Sequence, residues 1–436
     1  MRKNPLRHSK ISDVRKVVAA SVLLTTGRVH AAENNTLKVG LIGCGGRGRG
    51  AVADSLAADP NTELVAVADA FRSNAEAAVE GLSEQFKDRV KVTSDRIFDG
   101  LDSFKEVVSL CDVVLLCEPP GFRPRSLRCA VEAGKHVFCE KPVAADVPGI
   151  RSVMESAEIA KKNGTTIVSG LCWRYDTYVS DMVRRVKDGQ IGNIVSGRLL
   201  YLNSQPWRRP RKESDTEMMF QVRDWYNFAW LSGDFNVEQH VHTIDKALWV
   251  MDDVVPDTIF GLGARLQFTE QGSGDIYDSM ASCFEYANGV TFYSYCRRQD
   301  HCWMKIEAII AGSKGTADLL SGVIRDYNGN VVYQQEKDPS DHYLIEHQKM
   351  YEEIRSGNVI NNGDYMAKAT MMGIASRMAC YSGARLTWAE ALASEESMAP
   401  SGYNWNDTPW SMPDERGRYL IPVPGEGRRI HEIVRS

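Results

Sequence analysis

Nowhere in the 436 residues does a long block of lysine and arginine occur, and the formal net charge is −5. A binder of nucleic acid or of an anionic membrane surface would show such a positive stripe, so neither partner is expected. Long apolar runs are missing near the start of the chain. The one there, Val17 to Leu24, is too short to cross a bilayer, and no membrane span is expected in the mature protein. There is no internal repeat and no low-complexity tract, which excludes solenoids and flexible tethers. A complete twin-arginine pair is absent too, since the N-terminal segment offers only Asp13-Val14-Arg15-Lys16.

What is present reads as a globular protein of two domains, because the length exceeds what one core usually fills and 43% of residues are hydrophobic against 25% charged. Residues 1–32 stand apart. Arg2, Lys3, Arg7, Lys10, Arg15 and Lys16 precede the apolar run, and Val29-His30-Ala31 ends it in the manner of a signal-peptidase site. Export is therefore expected, to a periplasm-like compartment and by a route left open, and cleavage would leave the chain more acidic. Four of the ten cysteines, Cys44, Cys111, Cys117 and Cys139, sit in or beside strand-like apolar runs, which suits buried free thiols better than disulfides.

From Leu37 apolar strands alternate with polar-faced helices: LKVGLIG, AVADSLAAD, ELVAVAD, SNAEAAVEGLSEQF, DVVLLCEPP, RPRSLRCAVEAG and HVFCE. Strands apolar on both faces with helices between them predict a parallel sheet, a Rossmann domain over 36–155. Beyond Val168 the period changes to two, as in NIVSGRLLYLN and SMASCFEYANGVTFYSYC, with an Asn288-Gly289 turn. An α+β domain with a mostly antiparallel open sheet is expected over 156–395, then an extended tail over 396–436 rich in Pro, Gly and Trp. The methionines of YMAKATMMGIASRMACYSG recur at helical spacing and are read as core.

Gly43, Gly45 and Gly48 form G-x-G-x-x-G directly after an apolar strand and before a helix, and Asp69 ends the next strand. Glycines let backbone N–H groups approach a pyrophosphate at a helix N-terminus, and the acid accepts from a ribose hydroxyl. Gly43, Gly45, Gly46, Gly48 and Asp69 are thus expected to hold a dinucleotide, with Arg47 and Arg49 as further phosphate contacts. A carboxylate at 69 would repel a 2′-phosphate, so NAD is favoured. Arg72, able to stack on adenine or pair with a phosphate, leaves NADP open.

Together with this fingerprint, the run AGKHVFCEKP, carrying Glu140-Lys141-Pro142, resembles the glucose-fructose oxidoreductase, inositol dehydrogenase and MocA (Gfo/Idh/MocA) family of NAD(P)-dependent sugar oxidoreductases. The likeness runs from about Leu37 to Trp388. It implies that Lys141 stands near the nicotinamide ribose and the reacting hydroxyl, with Glu140 beside it. An ammonium there lowers the cost of a developing alkoxide. The family's second signature, an aspartate four residues before a histidine, is matched in SGDFNVEQHVHTIDKALW by Glu238 and His242, one methylene longer at the acid. On a helix that spacing puts the two on one face. His242 would then be the general base, with Glu238 either orienting it or binding a substrate hydroxyl. Glu118-Pro119 stands where relatives carry a small hydroxyl residue before proline and is expected to touch the ribose. Arg174 and Tyr175 match the family's basic-aromatic stretch, Asp245 belongs at the pocket edge, and Trp225 either stacks on a sugar face or fills core. Glu238, His240 and His242 as a metal site fail on geometry, because helical residues two apart diverge, so no metal is expected and His240 is read as a packing histidine.

The expected activity is hydride transfer between a sugar, polyol or glycoside hydroxyl and a tightly held nicotinamide cofactor, in a homo-oligomer. Two alternatives stay open: an NAD-recycling glycoside hydrolase acting by transient oxidation and elimination, and a non-catalytic sugar or dinucleotide sensor. The retained Lys141 and His242 argue against the sensor.

Overall fold

The structure, a computed structural model, describes residues 35–336 and 340–425. The expected signal segment 1–32 and the last eleven residues of the tail lie outside the described residues. From Leu37 onward the chain forms two sheets. The first has six parallel strands in the order β3-β2-β1-β4-β5-β6: β1 Leu37–Ile42, β2 Thr62–Asp69, β3 Ile97–Asp99, β4 Val113–Leu116, β5 His136–Cys139 and β6 Ile167–Ser169. Every residue of β4 and the last four of β1 are buried, because helices cover both faces of the sheet. The strand order reverses between β1 and β4, and in open parallel sheets a ligand crevice lies at that point, beyond the carboxyl ends of the strands.

The first sheet runs past residue 155, where the sequence suggested a boundary. Helix Val147–Asn163 is the crossover between β5 and β6. It is started by the Asp146 side chain accepting from Gly149 N at 2.8 Å and is ended by left-handed Gly164.

The second sheet has nine strands in the order β14-β13-β12-β11-β7-β10-β9-β8-β15: β7 Ile194–Asn203, β8 Thr258–Ala264, β9 Ser279–Glu285, β10 Thr291–Arg298, β11 Lys305–Gly312, β12 Gly315–Asp318, β13 Val323–Asp326, β14 Val331–Gln334 and β15 Leu386–Thr387. Its neighbours are antiparallel except β7 and β10, which run parallel. Helices Val241–Val250 and Gly363–Ser382 cover one face, the latter burying Met366, Met371, Met372 and Met378 in a core that also takes Ile42 and Val114 from the first sheet. The opposite face leaves Phe260, Leu262, Tyr293 and Tyr295 exposed. Along the tail, Trp405 stacks on Phe71 with ring centroids 5.2 Å apart. All ten cysteines are free thiols, and among the described residues no helix is long and apolar enough to cross a membrane.

Candidate active site

The glycine loop joins β1 to helix Gly46–Ala58, and two of its glycines are fixed by sterics. Gly43 has φ +89°, and a Cβ there would sit 2.4 Å from Glu118 N; a Cβ on Gly48 would sit 1.9 Å from Gly43 O. Gly45 and Gly46 differ, since a Cβ on either meets nothing within 4 Å. They face a cleft of about 810 Å³ whose floor is this loop, Asp69 to Phe71, and Cys117 to Pro119, and whose roof is Trp207, Arg209, Lys212, Arg223 and Trp225. The helix begins without a side-chain cap, so its first N–H groups are available to an anion in that cleft. At the end of β2, Asp69 Oδ2 accepts from Cys44 N at 2.8 Å while Oδ1 accepts from Phe71 N and Asn74 Nδ2, both at 2.9 Å. The carboxylate thus holds the loop and still lines the cleft where a ribose would lie. Bare glycines, free N–H groups and an acid at the far end fit a dinucleotide.

Of the three arginines expected to touch the cofactor, Arg49 lines the cleft, while the other two are engaged by protein partners. The Arg47 guanidinium ion-pairs with Glu140, with Glu346 at 3.2 Å and with Asp54 at 3.3 Å, and lies over the Tyr343 ring at 4.3 Å. These carboxylates raise its pKa against the opposing effect of burial, and they leave no fork for phosphate. Arg72 pairs with Glu76 at 2.8 Å and donates to Ile97 O at 2.9 Å on the edge strand β3, away from the cleft. Arg47 still lines the cleft, whereas Arg72 does not. Glu118 is buried, its Oε1 accepting from Ser126 Oγ, and burial raises its pKa. With Pro119 it does line the cleft.

Lys141 and Glu238 meet. The ammonium donates to Glu238 Oε1 at 2.9 Å and to Glu238 O at 2.8 Å, with both side chains almost buried. Glu140 completes the turn by accepting from Lys141 N at 3.0 Å, and the Lys141–Pro142 peptide is cis. The expected single helix face for Glu238 and His242 is corrected. Glu238 ends the short helix Phe235–Glu238, and His242 lies in the first turn of Val241–Val250, with Gln239 and His240 as the joint. The spacing of four was right for the sequence motif, but the helix is interrupted. His242 Nδ1 is buried with no hydrogen-bond partner among the described residues. Burial, then the Lys141 and Lys246 ammonium groups, hold its pKa well below the usual imidazole value, so the ring is neutral.

Three other expected substrate contacts are structural. Arg174 Nε and Nη2 grip Asp245 at 2.8–3.0 Å, Nη2 also reaches Asp253 at 2.7 Å, and the guanidinium covers Tyr365 at 3.9 Å. Arg174 and Asp245 therefore consume each other. The Tyr175 hydroxyl donates to Asn362 Oδ1 at 2.8 Å, and its ring packs on core, so it too is removed from the candidates. Trp225 keeps its place on the cleft wall, tilted on Tyr226 with centroids 5.0 Å apart. His240 is satisfied at both nitrogens, by Thr243 at 2.7 Å and Ser294 at 2.6 Å, so it is unavailable to a metal.

Sequence reasoning missed Lys246, fully buried with its pKa pushed down to about 8 by burial, donating to His242 O at 2.9 Å and lying 4.1 Å over the Trp173 ring. A lysine four residues after His242 inside the apolar helix VHTIDKALWV was the signal. It also missed the roof residues Trp207, Arg209 and Lys212, which no local motif marks.

Comparison with known proteins agrees with the two-sheet fold. Residues 37–170 match the family model described as an oxidoreductase family with NAD-binding Rossmann fold, and residues 179–318 match a GFO/IDH/MocA C-terminal domain. The chain is 30% identical over 293 residues to an inositol 2-dehydrogenase of Cereibacter sphaeroides, covering 65% of this chain and 74% of that one. It is 26% identical over 311 residues to an alpha-N-acetylgalactosaminidase of Shewanella oneidensis, covering 70% and 59%. Among solved structures, a levoglucosan dehydrogenase in complex with NADH and levoglucosan superposes with a TM-score of 0.62 at 18% identity, over 81% of this chain and 99% of that one. That likeness is one of fold.

Proposed function

Since the chain belongs to the Gfo/Idh/MocA family of NAD-binding oxidoreductases, we propose that it oxidises a secondary hydroxyl of a sugar, polyol or glycoside, and reduces the ketone in reverse. The observation that carries this reading is the pairing of Lys141 with Glu238 next to a neutral, unpartnered His242 Nδ1. NAD, bound in the cleft, supplies the hydride acceptor. The chain's own residues handle the proton. Two Lys141 N–H bonds go to Glu238, leaving the third to donate to the substrate oxygen and stabilise negative charge on it. The His242 ring takes the hydroxyl proton, since as neutral imidazole it carries a lone pair that can accept it.

Asp69 at the ribose end favours NAD over NADP. The roof over the cleft favours a cofactor that leaves slowly and co-purifies. Such retention suits an exported enzyme, as the basic and apolar segment within residues 1–32 suggests. The exposed Phe260, Leu262, Tyr293 and Tyr295 on one sheet face suit a homo-oligomer.

The likeness to the alpha-N-acetylgalactosaminidase supports a second reading, in which the oxidised sugar loses its glycosidic substituent and is reduced again, with no net change in NAD. Purified protein incubated with sugars, polyols and glycosides, followed by reduced-nicotinamide absorbance and product mass, separates the two. Net reduction supports the dehydrogenase and release of sugar without it supports the hydrolase. Neither signal from any of these compounds refutes both.

A further inference from the structure

The walls of the cleft carry more positive charge than their own carboxylates answer. Five cations line it, Arg47, Arg49, Arg209, Lys212 and Arg223, against two acids, Asp69 and Glu118, in a chain whose net charge is −5. Two of the five are engaged: Arg47 by Glu140, Glu346 and Asp54, and Arg223 by Asp215. Arg49, Arg209 and Lys212 line the cleft and form no ion pair among the described residues. An unpaired cation is ordinary where it faces open solvent. The two on the roof differ, because the segment that bears them is fixed over the cleft. The Arg209 guanidinium lies over the Trp207 ring at 5.1 Å, and Trp207 packs edge-on to Trp225 at 5.9 Å. Arg209 N donates to Asp224 Oδ1 at 2.6 Å and Lys212 N to Asp215 Oδ2 at 2.8 Å. Asp215 in turn holds Arg223, at the end of helix Glu217–Arg223, whose guanidinium lies over Phe71 of the floor at 5.2 Å. The C-terminal tail adds a second tie: Thr216 Oγ1 donates to Trp405 O at 2.6 Å, and Trp405 stacks on the same Phe71.

We propose that Arg209 and Lys212 are cofactor-binding residues that take the pyrophosphate of the bound dinucleotide from the roof, opposite the glycine loop. This rests on the reading in which NAD fills the cleft. Each phosphate of a pyrophosphate keeps a negative charge near neutral pH, and the loop meets it with backbone N–H groups and the dipole of helix Gly46–Ala58. Arg47, the first arginine of that loop, is held by three carboxylates. The remaining countercharge on the wall is Arg49 beside the loop and the two roof cations across from it. An arginine fork can hold two phosphate oxygens at once, while a lysine acts as a point charge. A pyrophosphate taken by backbone donors on one side and by cations on the other is withdrawn from water on both, so the dinucleotide leaves only when the roof contacts break.

The test uses full-length protein freed of nucleotide, with ADP-ribose as the probe that carries the pyrophosphate and adenosine as the probe that lacks it. Isothermal titration reads ADP-ribose and saturation-transfer NMR reads adenosine, each at low and at physiological salt. Arg209→Gln and Lys212→Gln should each weaken ADP-ribose by about five- to twentyfold, and the double variant by more, with adenosine binding unchanged. The affinity of the double variant should also fall less steeply with salt than that of wild type, because fewer charge contacts remain to be screened. Lys212→Arg, which keeps the charge, should bind ADP-ribose as wild type does. Wild-type ADP-ribose affinity in the double variant would overturn the proposal and leave the pyrophosphate to the glycine loop. An equal loss for adenosine would overturn it too, since the substitutions would then have displaced the roof and not removed phosphate contacts. If neither NAD nor ADP-ribose binds the wild-type protein, the reading of the cleft as a dinucleotide site fails, and the assignment of Arg209 and Lys212 falls with it.

Discussion

The cleft under the glycine loop and the corner around Lys141 are built from different materials. The cleft is made of backbone: two glycines whose Cβ atoms would collide with main-chain atoms, two whose side chains would fill the cavity, and a helix start with free N–H groups. The corner is made of side chains contributed by β5's end, the short helix at Glu238 and the helix at His242, with charges that satisfy one another and leave Nδ1 of His242 open. A backbone site tolerates no added bulk but is indifferent to chemistry elsewhere. A side-chain site keeps its shape under small changes and loses its chemistry. Binding and turnover should therefore separate by mutation.

The largest expected effects test that separation directly. Lys141→Ala and His242→Ala should each lose on the order of 10²- to 10⁴-fold in kcat while NAD affinity, measured by titration, stays within a few-fold. The two losses should not multiply in the double variant, since both groups act on one hydroxyl. Gly45→Val should do the reverse, abolishing measurable NAD binding because its side chain enters the cleft, with the melting temperature unchanged. A Gly45→Val protein that binds NAD normally would break the comparison at its root.

Arg47 tests the boundary between the regions. Read from the sequence it belongs to the phosphate cradle; in the structure it faces backward onto Glu140, the residue before Lys141, and onto the fully buried Glu346. Arg47→Met should cost about 2 kcal/mol of stability in urea unfolding, less than for a fully buried pair because the arginine side chain is about one-third exposed. A phosphate-binding arginine would instead weaken NAD with little effect on stability, so the two measurements distinguish the assignments.

The same contrast explains what the sequence could reveal. The two sheets were legible because apolar runs and period-two alternation report burial locally, and Gly43, Gly45, Gly48, Asp69 and Lys141 were legible because a tight turn or a strand end dictates them. Arg47, Arg72, Arg174 and Asp245, expected as ligand contacts, are each held by protein partners that no local pattern marks. A charged residue's partner is decided by what tertiary folding brings near: Asp253 lies 79 residues from Arg174, and Glu346 lies 299 from Arg47.

A smaller effect is expected at Asp69, where the regions' materials mix. Its carboxylate both supports the loop through Cys44 N and faces the cleft, so Asp69→Ala should weaken NAD by roughly tenfold. NADP should weaken less, because the variant also removes a negative charge from the neighbourhood of a 2′-phosphate. Equal losses for both nucleotides in parallel titrations would confine Asp69 to loop support.

The smallest effect sharpens the comparison from behind the loop. His347, on helix His342–Ser356, is fully buried with neither ring nitrogen partnered among the described residues, and its ring lies 4.3 Å from that of Phe138. Burial, and then Arg47, push its pKa down to about 3. Between about pH 3 and 6.5 the unfolded chain binds a proton at this histidine and the folded one does not, so folding stability falls as the pH drops below about 6.5, by about 1.4 kcal/mol per pH unit. His240, with its pKa also lowered to about 3, acts in the same direction; Asp224 and Asp275, raised to about 6 by burial, bind protons when folded and act in the opposite one. Only a difference between proteins isolates one group. His347→Phe should unfold in urea with an acid limb shallower than wild type by that amount from pH 6 to pH 5, with unchanged NAD affinity at pH 7. Parallel acid limbs would mean that the imidazole protonates in the folded protein. A loss of NAD binding would mean that the packing behind the glycine loop, and not its backbone alone, sets the shape of the cleft.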